Sequence, residues 1–192
     1  GAQRIIRDLV KAENPTPFHF TLGRILENVI DQLKRLALGE NTPITDIAWA
    51  YRNLMELRVW SKFIRLSEEN FERFQNDFFV DGVLMMEAVI KVYTDFTKLV
   101  PNAMRIPKEL YQMKPEMQKA REESRLADEG PLKSSQIAKK VGLEKEHAAV
   151  NSISSKLVHP TALSILKTFD LDVMKQIFIA QGIVLAMQIV IE

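Results

Sequence analysis

The stretch Thr45-Asp-Ile-Ala-Trp-Ala-Tyr-Arg-Asn-Leu-Met-Glu-Leu-Arg-Val-Trp-Ser-Lys-Phe-Ile-Arg-Leu66 decides the fold. Ile47, Trp49, Tyr51, Leu54, Met55, Leu57, Val59, Trp60, Phe63 and Ile64 recur at helical spacing and place apolar side chains on almost every side of the resulting cylinder. A helix that is apolar all round has to be surrounded by others, so this segment is predicted to run through the centre of its bundle. Three- and four-residue spacing continues in both directions along the chain. No stretch longer than a few residues shows the two-residue alternation of a half-buried strand. The predicted fold class is therefore all-α, an antiparallel helical bundle of six to seven helices.

Working outward, the seven glycines and eight prolines fall where helices would break. Towards the N-terminus, Thr21 reads as the N-cap of a helix running to about Ala37, with Gly39 as its stop. An amphipathic helix over residues 3–13 precedes it. Towards the C-terminus, Ser67 with Asn70 opens a long helix to about Leu99. The segment 107–133 then turns polar, with charges of mixed sign, and reads as a solvated helix protruding from a single domain that spans residues 1–192. Ser134 to Val141, Glu144 to Val158 and Leu171 to the end follow as helices. The last contains the most apolar run, Ile177 to Ile191, which Gln181 and Gln188 interrupt. At about 15 residues it is shorter than the ~20 of a membrane span and reads as a buried core helix.

Composition closes several classes of function. The chain has 192 residues, 46% of them hydrophobic and 27% charged, with a formal charge of +1, so no overall field draws it to nucleic acid or to an anionic membrane. Cysteine is absent, which removes disulfides, thiolate nucleophiles and cysteine-ligated metal sites. The three histidines, His19, His147 and His159, form no pair at ligand spacing, and no Asp or Glu array resembles a di-iron Glu-x-x-His bundle; no metal and no cofactor are expected. No phosphate-binding loop, dinucleotide fingerprint or nucleophile elbow is present. With neither a targeting signal nor a membrane span in view, the expected location is cytoplasmic.

Three features carry polar chemistry. Arg52 and Glu56 stand four residues apart on the central helix beside Tyr51, so they share one face and can form a charge-assisted pair. Asn151, Ser155 and His159 fall at four-residue intervals near a helix end that Pro160 terminates, where a histidine can cap carbonyls, bond Glu56 or act as a general acid or base. Ser134 to Leu143, followed by Glu144-Lys-Glu-His147, imitates a helix-turn-helix. The carboxylates of Glu144 and Glu146 at the second helix's start would face phosphates unfavourably, which favours a plain helical corner.

The patterns Tyr51-Arg52-Asn-Leu-Met-Glu56-Leu, Ile137-Ala-Lys-Lys-Val-Gly-Leu143 and Ser155-Lys-Leu-Val-His159-Pro-Thr161 together resemble an uncharacterised bacterial all-α family, known as a domain of unknown function. That family is in turn similar to the HEPN domains (higher eukaryotes and prokaryotes nucleotide-binding). The resemblance spans roughly residues 20 to 190 and implies a bundle in which Arg52, Glu56 and His159 meet across two helices. HEPN ribonucleases carry an Arg separated from a His by four to six residues. Here residues 152–154 are Ser, Ile and Ser, and residues 140–142 are Lys, Val and Gly, so neither His159 nor His147 has that partner.

The sequence thus leaves three functions open. The first is an interaction module that binds a protein, a nucleotide or RNA at a polar pocket lined by Arg52, Glu56 and His159, with Tyr51, Asn151 and Ser155 as further binding residues. The second is a HEPN-like ribonuclease or defence-system toxin using His159 as acid/base, with Arg52 stabilising an anion. The third is a dimerisation scaffold forming a homodimer, in which the same residues only hold the fold.

Overall fold

A computed structural model of the chain describes residues 16–39, 42–99, 108–123, 130–158 and 171–191. Among these residues are seven helices and no strand: α1 Pro17–Ala37, α2 Ile44–Leu66, α3 Glu68–Leu99, α4 Lys108–Glu122, α5 Ser134–Lys140, α6 Glu144–Val158 and α7 Leu171–Ile191. The protein is an all-α helical bundle, as its spacing predicts. The helix expected over residues 3–13 and the loop at Pro160 lie outside the described residues.

Local chemistry sets the helix starts. α1 begins at Pro17, earlier than the expected cap at Thr21. The Thr16 side-chain oxygen accepts the His19 N–H at 3.4 Å, and Pro17 takes the first turn, where its missing donor costs nothing. Thr21 instead donates its hydroxyl to the Pro17 carbonyl at 2.9 Å. Ser67 does cap α3, accepting the Asn70 N–H at 3.2 Å. Between α5 and α6, Gly142 sits at φ +75°, a left-handed conformation that reverses the chain, and the Leu143 N–H closes back on the Ala138 carbonyl at 2.7 Å. The expected helical corner is thus present.

The chain divides into two compact units, one of residues 1–66 with 133–192 and one of residues 67–132. In the first, α2 packs against α1, α5, α6 and α7. Its Ile47, Leu54, Met55, Val59, Phe63 and Ile64 are buried almost completely, which is the central role its all-round apolarity requires. Ser134 near the start of α5 approaches Glu56, and Lys140 at its end lies over the Phe63 ring, so α5 runs alongside α2 in the same direction. The corner at Gly142 then sends α6 back along α2.

α7 rests on α2 and α1 through Phe178, Gly182, Leu185, Ala186 and Ile189. A Cβ added at Gly182 would come within 2.5 Å of Leu36 Cδ1, so glycine lets the helices approach at this point. Tyr51 adds a stacked contact with Phe178, ring centroids 5.2 Å apart, and donates its hydroxyl to Gln181 Oε1 at 2.6 Å. The helix runs from Leu171 to Ile191, as its spacing predicts, but the expectations that its apolar run is too short for a membrane span and that it is buried both fail. The helix continues through the two glutamines for 21 residues, and only 28% of its most apolar window is buried. By length and composition alone it is long and apolar enough to cross a membrane. Gln181 and Gln188 interrupt the apolar run in sequence, yet they lie beside the packed face and leave the helix continuous. α1 and α2 cover one side of the cylinder, and apolar residues remain on the other.

In the second unit, α3 packs against α4, and Lys114 pairs with Glu87 at 2.9 Å. Two side chains of α3 hold the segment that precedes α5: Arg73 donates to the Gly130 carbonyl at 3.0 Å, and the Asp77 carboxylate accepts the Leu132 N–H at 2.6 Å. Asp77 is buried, and that burial raises its pKa above the ordinary carboxylate value.

Candidate functional site

The central polar cluster of the first unit joins α2, α5 and α6. Glu56 projects from α2, and its Oε1 accepts His147 Nε2 from α6 at 3.0 Å. Asn151, one turn further along α6, places its amide nitrogen 2.9 Å from His147 Nε2, 3.3 Å from its Nδ1 and 3.5 Å from Glu56 Oε1. The Ser134 hydroxyl of α5 makes a third, long contact with the same carboxylate at 3.5 Å. The Asn151 amide nitrogen and the Glu56 carboxylate both lie within hydrogen-bond distance of His147 Nε2, so the ring's tautomer sets which of them that nitrogen engages.

The sequence puts His147 where a core residue belongs. Leu143, His147, Val150, Ser154 and Leu157 follow one another at alternating four- and three-residue steps, and all five are buried. The imidazole therefore lies in the seam that α6 presents to α2, with His147 only 4% exposed. Glu56 keeps part of its side chain in reach of water, at 22%. Water can thus hydrate the carboxylate, while the ring is enclosed and both of its nitrogens are engaged.

Of the residues expected at a site, Glu56 and Asn151 are brought together. The partner of Glu56 is His147, a residue that the sequence did not single out for this site. Arg52 lies over the Trp49 ring, its guanidinium carbon 5.9 Å from the centroid, in place of the expected pairing with Glu56. Tyr51 is committed to α7, and burial raises its pKa. Ser155 donates its hydroxyl to the Ser152 carbonyl at 3.0 Å, within its own helix. His159 lies outside the described residues. The missed members, His147 and Ser134, carried one legible signal: His147 occupies a core register on α6 four residues before an asparagine that can reach its ring.

Among the described residues, no group of three or more His, Asp or Glu side chains is placed to hold a metal ion. The chemistry the cluster offers is a carboxylate–imidazole–amide chain that ties three helices together.

A second concentration of unusual residues lies on the outer side of α7. Val173, Ile177, Ala180, Val184, Met187 and Ile191 are all exposed, and they succeed one another at steps of four, three, four, three and four. This is the seam spacing of a helix that pairs with another helix. Gln176, Gln181 and Gln188 flank it together with Ile183 and Val190, and no charged side chain lies on the stripe between Val173 and Ile191. Lys175 and Asp172, at the start of the helix, pair with each other at 3.7 Å.

No curated protein and no solved structure matches the chain. A match over residues 36–176, which takes in α2 to α6 and therefore the whole Glu56–His147–Asn151 cluster, is to the family described as "Family of unknown function (DUF5677)", and the chain belongs to that family.

Proposed function

We propose that this protein is a helical interaction module that binds an apolar helix of a protein partner along the outer stripe of α7, while the Glu56–His147–Asn151 cluster holds the fold that presents it. The observation that carries the reading is the stripe itself: six exposed positions at helix-pairing steps, opposite a face packed on α1 and α2. Exposed apolar surface on this scale is a cost that soluble chains ordinarily avoid unless something covers it.

The stripe suits a helix better than a lipid surface. Interfacial helices carry Lys or Arg along the polar margin, and α7 has glutamines there. Inserting the helix into lipid would bury the amides of Gln176, Gln181 and Gln188, and would require the packed face to leave α1 and α2. A HEPN-like ribonuclease finds less support. Neither His159, the acid/base expected for that reading, nor His147 has the spaced arginine, and His147 is enclosed, whereas a general acid/base must reach the substrate's proton directly or through one water.

The test uses the absence of cysteine. Single cysteines placed at Ile177, Ala180, Val184 and Met187 can be alkylated without background, both in intact cells of the protein's own source and in the unfolded chain. Protection in cells along the stripe, with Gln181→Cys remaining reactive, is the expected result. Equal reactivity in cells and in the unfolded chain would refute the reading, and protection extending equally to Gln181→Cys would transfer the surface to lipid.

A further inference from the structure

We infer that the helix seated on the α7 stripe is α7 of a second copy of this chain, so that the protein is a two-fold homodimer; this inference rests on the interaction-module reading above. Three observations favour an identical copy over an unrelated partner.

The first is the order of side-chain shapes along the stripe. Ile177, Val184 and Ile191 hold one set of seam positions with β-branched side chains, and Val173, Ala180 and Met187 hold the other, where only Val173 is β-branched. In parallel paired helices, β-branched residues at the first core position favour two strands when the second position is not β-branched, a condition that Ala180 and Met187 meet. The second is the flanks. The positions that discriminate between partners through charge hold Met174, Gln181 and Gln188 on one side and Gln176, Ile183 and Val190 on the other. With no charge on either margin, an identical helix meets no repulsion, and a charged partner gains nothing.

The third is area. Val173, Ile177, Val184, Met187, Val190 and Ile191 are each between 46% and 78% exposed. With Ile183 they present on the order of 600 Å² of apolar surface, so two copies face to face would cover about 1,200 Å², which reaches the lower range of stable interfaces. A two-fold pairing also needs one patch only, because each copy supplies the other's partner. α3 likewise exposes Phe78, Met85 and Val92, but Asp81 and Asp95 lie along that side, and it has no uncharged margin of the kind α7 has.

The experiment is sedimentation equilibrium of the purified full chain across the micromolar range, beside the double variant Val184→Glu/Met187→Glu and the cysteine at Val184. Both mutated residues point away from the packed face, so circular dichroism of the double variant should match the parent. The expected result is a parent that moves from monomer to dimer mass with rising concentration, a double variant that stays monomeric, and a cysteine at Val184 that loses reactivity as the dimer forms. A parent that is monomeric throughout, with that cysteine reactive in the purified chain but protected in cells, would overturn self-pairing and leave the interaction module standing. A monomer whose cysteine is reactive in both settings, or protected in both, would overturn the two together. So would a monomer that floats with neutral phosphatidylcholine vesicles.

Discussion

At the scale of single residues, the molecule turns on where its few buried polar groups find partners. Removing the imidazole by His147→Ala leaves the Glu56 carboxylate with only the long contacts to Ser134 and Asn151. Breaking a buried pair costs ~3–5 kcal/mol. Because Glu56 is partly hydrated, about 2–4 kcal/mol is expected here, or roughly 5–15 °C in the thermal midpoint for a chain of this size. Thermal melts followed by circular dichroism measure it, and an unchanged midpoint would remove the structural role given to the cluster. Asp77 predicts a pH effect of definite sign. Burial holds its folded pKa above the unfolded value of 3.8, so between the two values the folded chain binds more protons than the unfolded one. Asp77 therefore contributes a gain in stability as pH falls through that window, complete below the unfolded value and lost as pH rises through the folded one. Asp77→Asn keeps an oxygen for the Leu132 N–H and lacks the titration. In urea melts from neutral pH down to the acid limb, the parent should improve relative to the variant as pH falls; a parent that worsens relative to it would contradict the assignment.

At the scale of elements, helical spacing assigned residues to faces well and neighbours poorly. The all-round apolarity of residues 45–66 was enough to place α2 at the centre, and the Val141-Gly142-Leu143 turn was enough to mark the corner. Spacing does not say which helix a face meets. Glu56 found His147 because α5 runs along α2 and the corner returns α6 beside it, a long-range fact that no local pattern contains. α7 shows the same limit from the other side, since its composition announces an apolar helix but says nothing of how many helices are available to cover it. The packed side of α7 makes its own prediction. In Gly182→Ala the new methyl would meet Leu36, itself 1% exposed and unable to swing into water. Overpacking costs ~1–3 kcal/mol and the gain in helix propensity returns ~1. A net loss of up to about 2 kcal/mol in urea unfolding is expected, and relieving the contact with Leu36→Ala in the same chain should remove that loss.

At the scale of the whole molecule, family membership and assembly fall on different parts of the chain. The family match covers residues 36–176 and so includes the polar cluster, while most of the α7 stripe, from Ile177 onward, lies beyond it. Stability and partner choice can then be altered separately: substitutions at Glu56 or His147 should lower the melting temperature whatever the oligomeric state, and Val184→Glu/Met187→Glu should change mass without lowering the monomer's own stability. α7 nevertheless serves both, since one side of the same 21-residue cylinder is packed on α1 and α2 and the other receives the second copy. Anything that binds only the folded form adds to its stability by mass action. For a self-pairing chain the ligand is its own concentration, so the melting temperature should climb with protein concentration in the parent and stay level in the double variant. A cell holding few copies would then keep them singly, with α7 fraying more readily and open to proteases, and would turn them over faster than a cell holding many. Abundance itself would set the lifetime of the protein.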